Sequence, residues 1–300
     1  MKNLKKSVLI LAIVVVTGML IYLGITYALA GIDNVKKDNN PVVTMEIENY
    51  GTIKIELYSD MAPNTVRNFV TLANNGFYNG KTISEIEDGK VIGGFDLSSG
   101  EETKEPKEEK KDEKAEVETE EYVPGPKLSN IKTLAEGEED TAYALAGEFV
   151  EAGFVNNTLS HQRGVISMAR ETYNDYQYEL SLMQMMGYES YLETLISLMD
   201  DTATSGFFIL TDANTSYDGQ YAAFGKVIEG MEIVDKIAEA ELVVEEDADG
   251  NETKTTTPKD EIKITKVTVD TKGVKYPAPE TTTKFDFNSL FSSLLSNYSE

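Results

Sequence analysis

The chain has 300 residues, with 27 Lys and Arg against 52 Asp and Glu, and a net charge of -25 with its one histidine, His161, neutral. Cysteine is absent, which excludes thiolate catalysis, disulfide staples and Cys-based zinc sites, and a lone histidine excludes multi-histidine metal centres. A Ser-His-Asp triad would have to use His161, and so acidic a chain is a poor partner for nucleic acid.

Lys2, Lys5 and Lys6 precede an uncharged apolar run from Ser7 to Ala30. At ~1.5 Å per residue that run is long enough to cross a hydrocarbon core of ~30 Å. The positive flank predicts a membrane anchor with the acidic body on the extracytoplasmic side. The alternative is a signal peptide removed after Ala28-Leu29-Ala30, leaving a secreted protein. Residues 31–41 read as a polar linker.

From Val42 to Leu57, alternating apolar residues around Asn49-Tyr50-Gly51 predict a two-stranded hairpin. Asp60 to Ala73 reads as a helix, with Pro63 near its start. Ile83 to Phe95 is a strand pair turning at Asp88-Gly89. Residues 98–128 include a stretch, Glu101 to Glu121, with 11 acids and 5 lysines, which cannot bury enough apolar surface to order itself. Leu134 to Phe154 is irregular and Gly-spaced, and Gly164 to Ala169 is a buried strand. Residues 172–203 are a Met- and Tyr-rich insertion, predicted as two short helices separated at Gly187. Their apolar face comprises Leu180, Met183, Tyr188, Tyr191, Leu192, Leu195 and Leu198 or Met199. Strands at Phe207–Thr211 and Ala222–Ile228, a helix at Met231–Ala240, and a hairpin with its tip at Asp249-Gly250 follow. Asp247, Asp249 and Asn251 mimic part of a calcium loop, but Gly250 and Pro258 are wrong for one, so a plain turn is expected. A last strand carries Ile262, Ile264, Val267 and Val269. Residues 278–300 form a tail whose Phe287, Leu290, Phe291, Leu294 and Leu295 share one helical face. That face lacks flanking basic residues, so it is expected to dock on its own domain rather than on a membrane surface. Many short, turn-separated strands predict a mainly β protein built as a closed antiparallel barrel with capping helices.

Several stretches, in order, resemble the cyclophilin family of peptidyl-prolyl cis-trans isomerases. They are Gly51-Thr-Ile-Lys-Ile-Glu-Leu-Tyr-Ser-Asp-Met-Ala-Pro63, Gly76-Phe-Tyr-Asn-Gly-Lys-Thr-Ile83, His161-Gln-Arg-Gly-Val-Ile-Ser-Met-Ala-Arg170 and Ser205-Gly-Phe-Phe-Ile209, then Phe224-Gly-Lys-Val227. The stretches at Gly230–Ile237 and Val267–Pro277 are similar to exported members from Gram-positive bacteria. The resemblance implies an eight-stranded barrel capped by two helices over residues 42–277. It also implies an isomerase of proline-containing polypeptides, assisting the folding of exported proteins without a metal or cofactor.

In this family an arginine donates to the prolyl nitrogen, which weakens the amide resonance behind a barrier of ~18–20 kcal/mol. The resemblance aligns Glu85 with that arginine, and an ionised carboxylate cannot donate. It places Phe208 at the floor of the proline pocket and Ala169 and Arg170 along the groove edge. Met168, Gly206, Tyr221 and Val91 fall at further substrate-binding positions. Lys90, Gly93, Gly206, Ser216 and Tyr221 all depart from the family pattern, and Arg170 is the candidate replacement donor. His161 aligns with a family histidine that does no chemistry. The expectation is a weakened isomerase. The alternatives are a catalytically silent peptide-binding or chaperone module with residues 172–203 as a lid, and a structural adaptor with the groove closed.

Overall fold

In the computed structural model, residues 39–87, 89–95, 125–246, 252–287 and 290–291 are described. The predicted N-terminal membrane segment, the linker up to residue 38, most of the acidic insertion and the tip of the late hairpin lie outside the described residues. No helix among the described residues is long and apolar enough to cross a membrane.

Strands β1 (Val42–Ile47) and β2 (Gly51–Leu57) form the first hairpin, and α1 (Pro63–Asn74) follows. The helix begins at Pro63 rather than Asp60, because the proline ring is compatible only with the first turn. Next come β3 (Thr82–Glu87), β4 (Lys90–Gly93), the short β5 (Tyr143–Ala144) and β6 (Val165–Met168). The insertion holds α2 (Gln177–Met185) and α3 (Glu189–Met199), split at Gly187, whose φ of +89° suits glycine. Then follow β7 (Phe207–Leu210), β8 (Ala223–Glu229), α4 (Met231–Ala238), β9 (Leu242–Glu246), β10 (Glu252–Pro258), β11 (Ile262–Asp270) and β12 (Thr282–Thr283).

Eight strands close an antiparallel barrel in the order β1-β11-β3-β4-β7-β6-β8-β2. The period-2 alternation of each strand sorts its side chains between two apolar clusters. Val91, Ile166, Met168, Phe207, Ile209 and Phe224 point into the interior with the inner faces of α1 and α4. Ile92, Val165, Phe208, Leu210 and Ala223 form a second cluster on the outer face. Inside, Phe69 of α1 stacks on Tyr78 at 4.7 Å between ring centroids and meets Phe207 and Phe224 at 6.0 and 5.5 Å.

The first turn of α1 has no side-chain cap at Ala62. Buried Glu148 supplies one from 83 residues away, accepting from the backbone N–H of Asn64 at 2.8 Å and of Thr65 at 2.7 Å. Burial raises the Glu148 pKa, and these N–H donors together with Arg67 work against that rise. A carboxylate here also favours the positive end of the helix, worth roughly 0.3–2 kcal/mol.

The insertion has a small core of its own. Leu180, Met183, Leu195 and Met199 are buried together with Phe287 from the tail, and Phe285, Leu290 and Phe291 pack against them. The buried stripe of α3 runs through positions 188, 192, 195 and 199. Tyr191 and Leu198, predicted on this face, lie at its edge and are 61% and 39% exposed. The tail is also tied by pairing of β12 with β5 and by reciprocal hydrogen bonds between Asn64 and Glu280. Replacing Phe287 with Ala should remove roughly 3–5 kcal/mol from this small core. Hydrogen exchange should then quicken in α2 and α3 while barrel amides stay protected; unchanged exchange in the two helices would contradict the docking.

Candidate functional site

The outer-face cluster lies where β4, β7, β6 and β8 adjoin. Antiparallel register sets Lys90 opposite Leu210, Ile92 opposite Phe208, and Phe208 opposite Ser167. Ala169, Tyr217 and Tyr221 pack on the same patch, and Phe95 borders it. On β3, Glu85 pairs with Ile92 and Glu87 with Lys90, so both carboxylates flank this face.

Phe208 is only 2% exposed. Tyr221 stands edge-on to it at 5.2 Å and Tyr217 at 5.7 Å, and the two tyrosines meet at 5.1 Å. The Lys90 ammonium sits 5.5 Å from the Phe208 ring centroid and 5.3 Å from that of Tyr217. Gly206 is covered by Phe95, whose ring would lie 2.1 Å from a Cβ at that position.

Beneath Phe208 lies His161, fully buried and stacked on it at 6.3 Å. Asp218 accepts from the His161 backbone N–H at 2.7 Å and faces Nδ1 at 2.9 Å. With the proton on Nδ1, Nε2 accepts from the Ser167 hydroxyl at 2.9 Å. The three residues have a serine–histidine–carboxylate order, yet Ser167 is fully buried and its hydroxyl cannot meet a substrate. This network props the aromatic floor. Ser160, next to His161 in the chain, donates to Asp218 at 2.8 Å.

Arg170 is fixed. It donates to the carbonyls of Gln220 at 2.8 Å and Glu171 at 2.9 Å, and lies 3.4 Å from Asp200. Its guanidinium packs over Phe149 and Tyr221 at 4.7 and 5.2 Å. With its side chain 9% exposed, it ties the start of the insertion to the barrel, and these contacts turn it away from the patch centre.

Glu85 is half-buried. Burial raises its pKa, Glu87 and Asp175 push it further, and Lys90 opposes. Asp175 precedes α2 and also acts on Tyr221, so the insertion begins at the rim of this face. The structure thus brings Glu85, Ala169, Gly206, Phe208 and Tyr221 to one surface with Arg170 at its border. Val91 and Met168 differ from expectation. Alternation turns both side chains into the barrel interior, where they cannot touch a ligand on the outer face. Tyr217 was not singled out by sequence. No group of three or more His, Cys, Asp or Glu among the described residues could hold a metal ion.

A closed eight-stranded antiparallel barrel with helices packed on it is a cyclophilin-like architecture. Residues 42–185 and 196–269 match the family described as cyclophilin type peptidyl-prolyl cis-trans isomerase/CLD, and the chain belongs to that family. A peptidyl-prolyl cis-trans isomerase of Acinetobacter baylyi is 30% identical over 206 residues, spanning 66% of this chain and 72% of its own. Peptidyl-prolyl cis-trans isomerase B of Bacillus subtilis is 25% identical, spanning 68% of this chain and 95% of its own. A crystal structure of a cyclophilin type isomerase from Cryptosporidium parvum superposes with a TM-score of 0.47 at 19% identity, covering 77% of this chain and 98% of that one.

Neutral His161 contributes to stability with a definite sign. Burial lowers its pKa below 6.5, and Asp218 only partly offsets this. Its contribution is complete above pH ~6.5 and is lost as pH falls through the depressed folded value. The urea-unfolding advantage of wild type over His161→Asn should therefore be largest at pH 8 and shrink toward pH 5. A pH-independent advantage would show that His161 does not titrate on unfolding.

Proposed function

We propose that this protein is a cyclophilin-type prolyl isomerase of attenuated turnover. On this reading it acts outside the cytoplasmic membrane on proline-containing segments of exported polypeptides and assists their folding. One observation carries the reading: an apolar outer face formed by Ile92, Val165, Phe208, Leu210 and Ala223 lies where the resemblance puts the site, and Glu85 flanks it where the resemblance puts a donating arginine. Twisting the prolyl amide out of plane localises a lone pair on nitrogen, and a donor aimed there stabilises the transition state. An ionised Glu85 only accepts. Removing one such preorganised donor typically costs ~10²–10³ in rate. The lysine-flanked apolar run at residues 7–30 supports the extracytoplasmic placement. Protease added to intact cells should digest the body of the protein if it lies outside; full protection would refute that placement.

A protease-free prolyl isomerisation assay on the full-length chain tests the activity. Turnover should be weak for the unmodified protein and should rise in Glu85→Arg. Because the Glu85 pKa is raised, its protonated form, a donor, grows as pH falls. Residual turnover should therefore increase with acidity, and Glu85→Gln should flatten that dependence. Efficient turnover at neutral pH, unaltered in Glu85→Arg, would overturn the assignment of Glu85.

The covered Phe208 favours a second reading, a catalytically silent module. Its partner contacts would come from the exposed Tyr178, Met185 and Tyr191 of the insertion, which are 74%, 76% and 61% exposed. Absence of turnover from both the unmodified chain and Glu85→Arg would select it.

A further inference from the structure

Lysine side chains ordinarily lay their stems on apolar surface and keep the ammonium in water. Lys90 does the reverse: its side chain is 14% exposed, and its ammonium lies over the rings of Phe208 and Tyr217. Glu87, three residues earlier across the turn, holds it at 2.9 Å. A lysine–glutamate pair at a hairpin end could be satisfied in solvent, so the pairing alone does not explain why the cation lies on the ring.

The surroundings do. Phe208, Tyr217 and Tyr221 stand mutually edge-to-face at 5.1–5.7 Å, forming a three-ring box with the Lys90 ammonium against two of its walls. Ring faces attract cations, and the attraction strengthens as water is excluded. The box also excludes a competitor. A prolyl ring would have to stack on the Phe208 face that Lys90 covers.

We propose that Lys90 is a tethered internal ligand of the proline pocket, and that a proline-containing peptide binds only by displacing it. The proposal rests on Phe208 being the pocket floor, but not on any turnover. Lys90 is thus the residue that sets the threshold for peptide entry.

Two measurements on the full-length chain test this. In the free protein, the Lys90 ε-methylene NMR signal should be shifted upfield by the aromatic rings and should return toward its usual position when an Ala-Pro-containing tetrapeptide saturates the site. In fluorescence anisotropy with the same peptide, labelled, Lys90→Ala should bind roughly tenfold tighter than wild type. Lys90→Arg, which keeps a cation over the rings, should stay close to wild type. An unshifted ε-methylene would overturn the proposal, as would equal affinity in wild type and Lys90→Ala. So would a Lys90→Met variant that loses turnover while binding peptide as wild type does, because Lys90 would then be a hydrogen-bond donor rather than an occupant. Failure of Glu85→Arg to gain turnover would count against attenuated catalysis alone. These binding readouts would still decide the role of Lys90.

Discussion

The alternation of side chains along β4, β6, β7 and β8 is the constraint on which the rest of the molecule depends. Closure of the barrel commits one face of each strand to the interior, so every second residue is spent on Met168, Phe207, Ile209 and Phe224. What remains outside must be covered by something other than the barrel. The outer face holds Ile92, Val165, Phe208, Leu210 and Ala223, a patch too apolar to be left wet. Here Lys90, Tyr217, Tyr221 and Phe95 cover it from within the chain. Chemistry and packing at this face therefore cannot be varied independently: each side chain that completes the cover also removes contact area for a peptide.

Long excursions from the barrel are held by charged anchors as well as by apolar packing. Glu148 reaches back to cap α1, Arg170 joins the end of β6 to Asp200 beyond α3, and Asp201 accepts from the Gly147 N–H at 2.8 Å. Each anchor has its hydrogen bonds satisfied, as buried charges must. A guanidinium that holds two carbonyls and a carboxylate is committed to structure, and moving it would strand Asp200, whose pKa is already raised by burial.

The barrel was legible in the sequence because its signals are local. Alternation in Val43, Met45 and Ile47, the helical spacing that follows Pro63 and the Gly187 break all depend on a few neighbouring residues. The cluster of Phe208, Ala169 and Tyr221 was legible through the ordered motifs. What escaped depends on distant partners. Nothing around Glu148 announces that it caps a helix 83 residues earlier, and nothing in Thr282-Thr283 marks a strand pairing with Tyr143-Ala144. Val91 and Met168 were placed at the groove by alignment, while strand phase turns them inward. The direction of Lys90 was equally hidden, because a lysine at a hairpin end is ordinarily a solvent-facing residue.

Charge at the site follows from these placements. Glu85 and Glu87 lie on β3, Lys90 on β4 and Asp175 at the start of the insertion, so carboxylates outnumber the one ammonium among them. Burial alone would lower the Lys90 pKa, but Glu87 and Tyr217 more than compensate and raise it. The ammonium therefore stays charged wherever the carboxylates are ionised, and the ring faces add to its hold. A neutral prolyl ring that replaced it would offer the box apolar contact but no positive charge, and Glu85 would lose the one nearby cation that lowers its pKa. Occupation of the pocket by Lys90 and ionisation of Glu85 thus support each other. Both favour a resting site without a donor at the position the resemblance assigns to arginine.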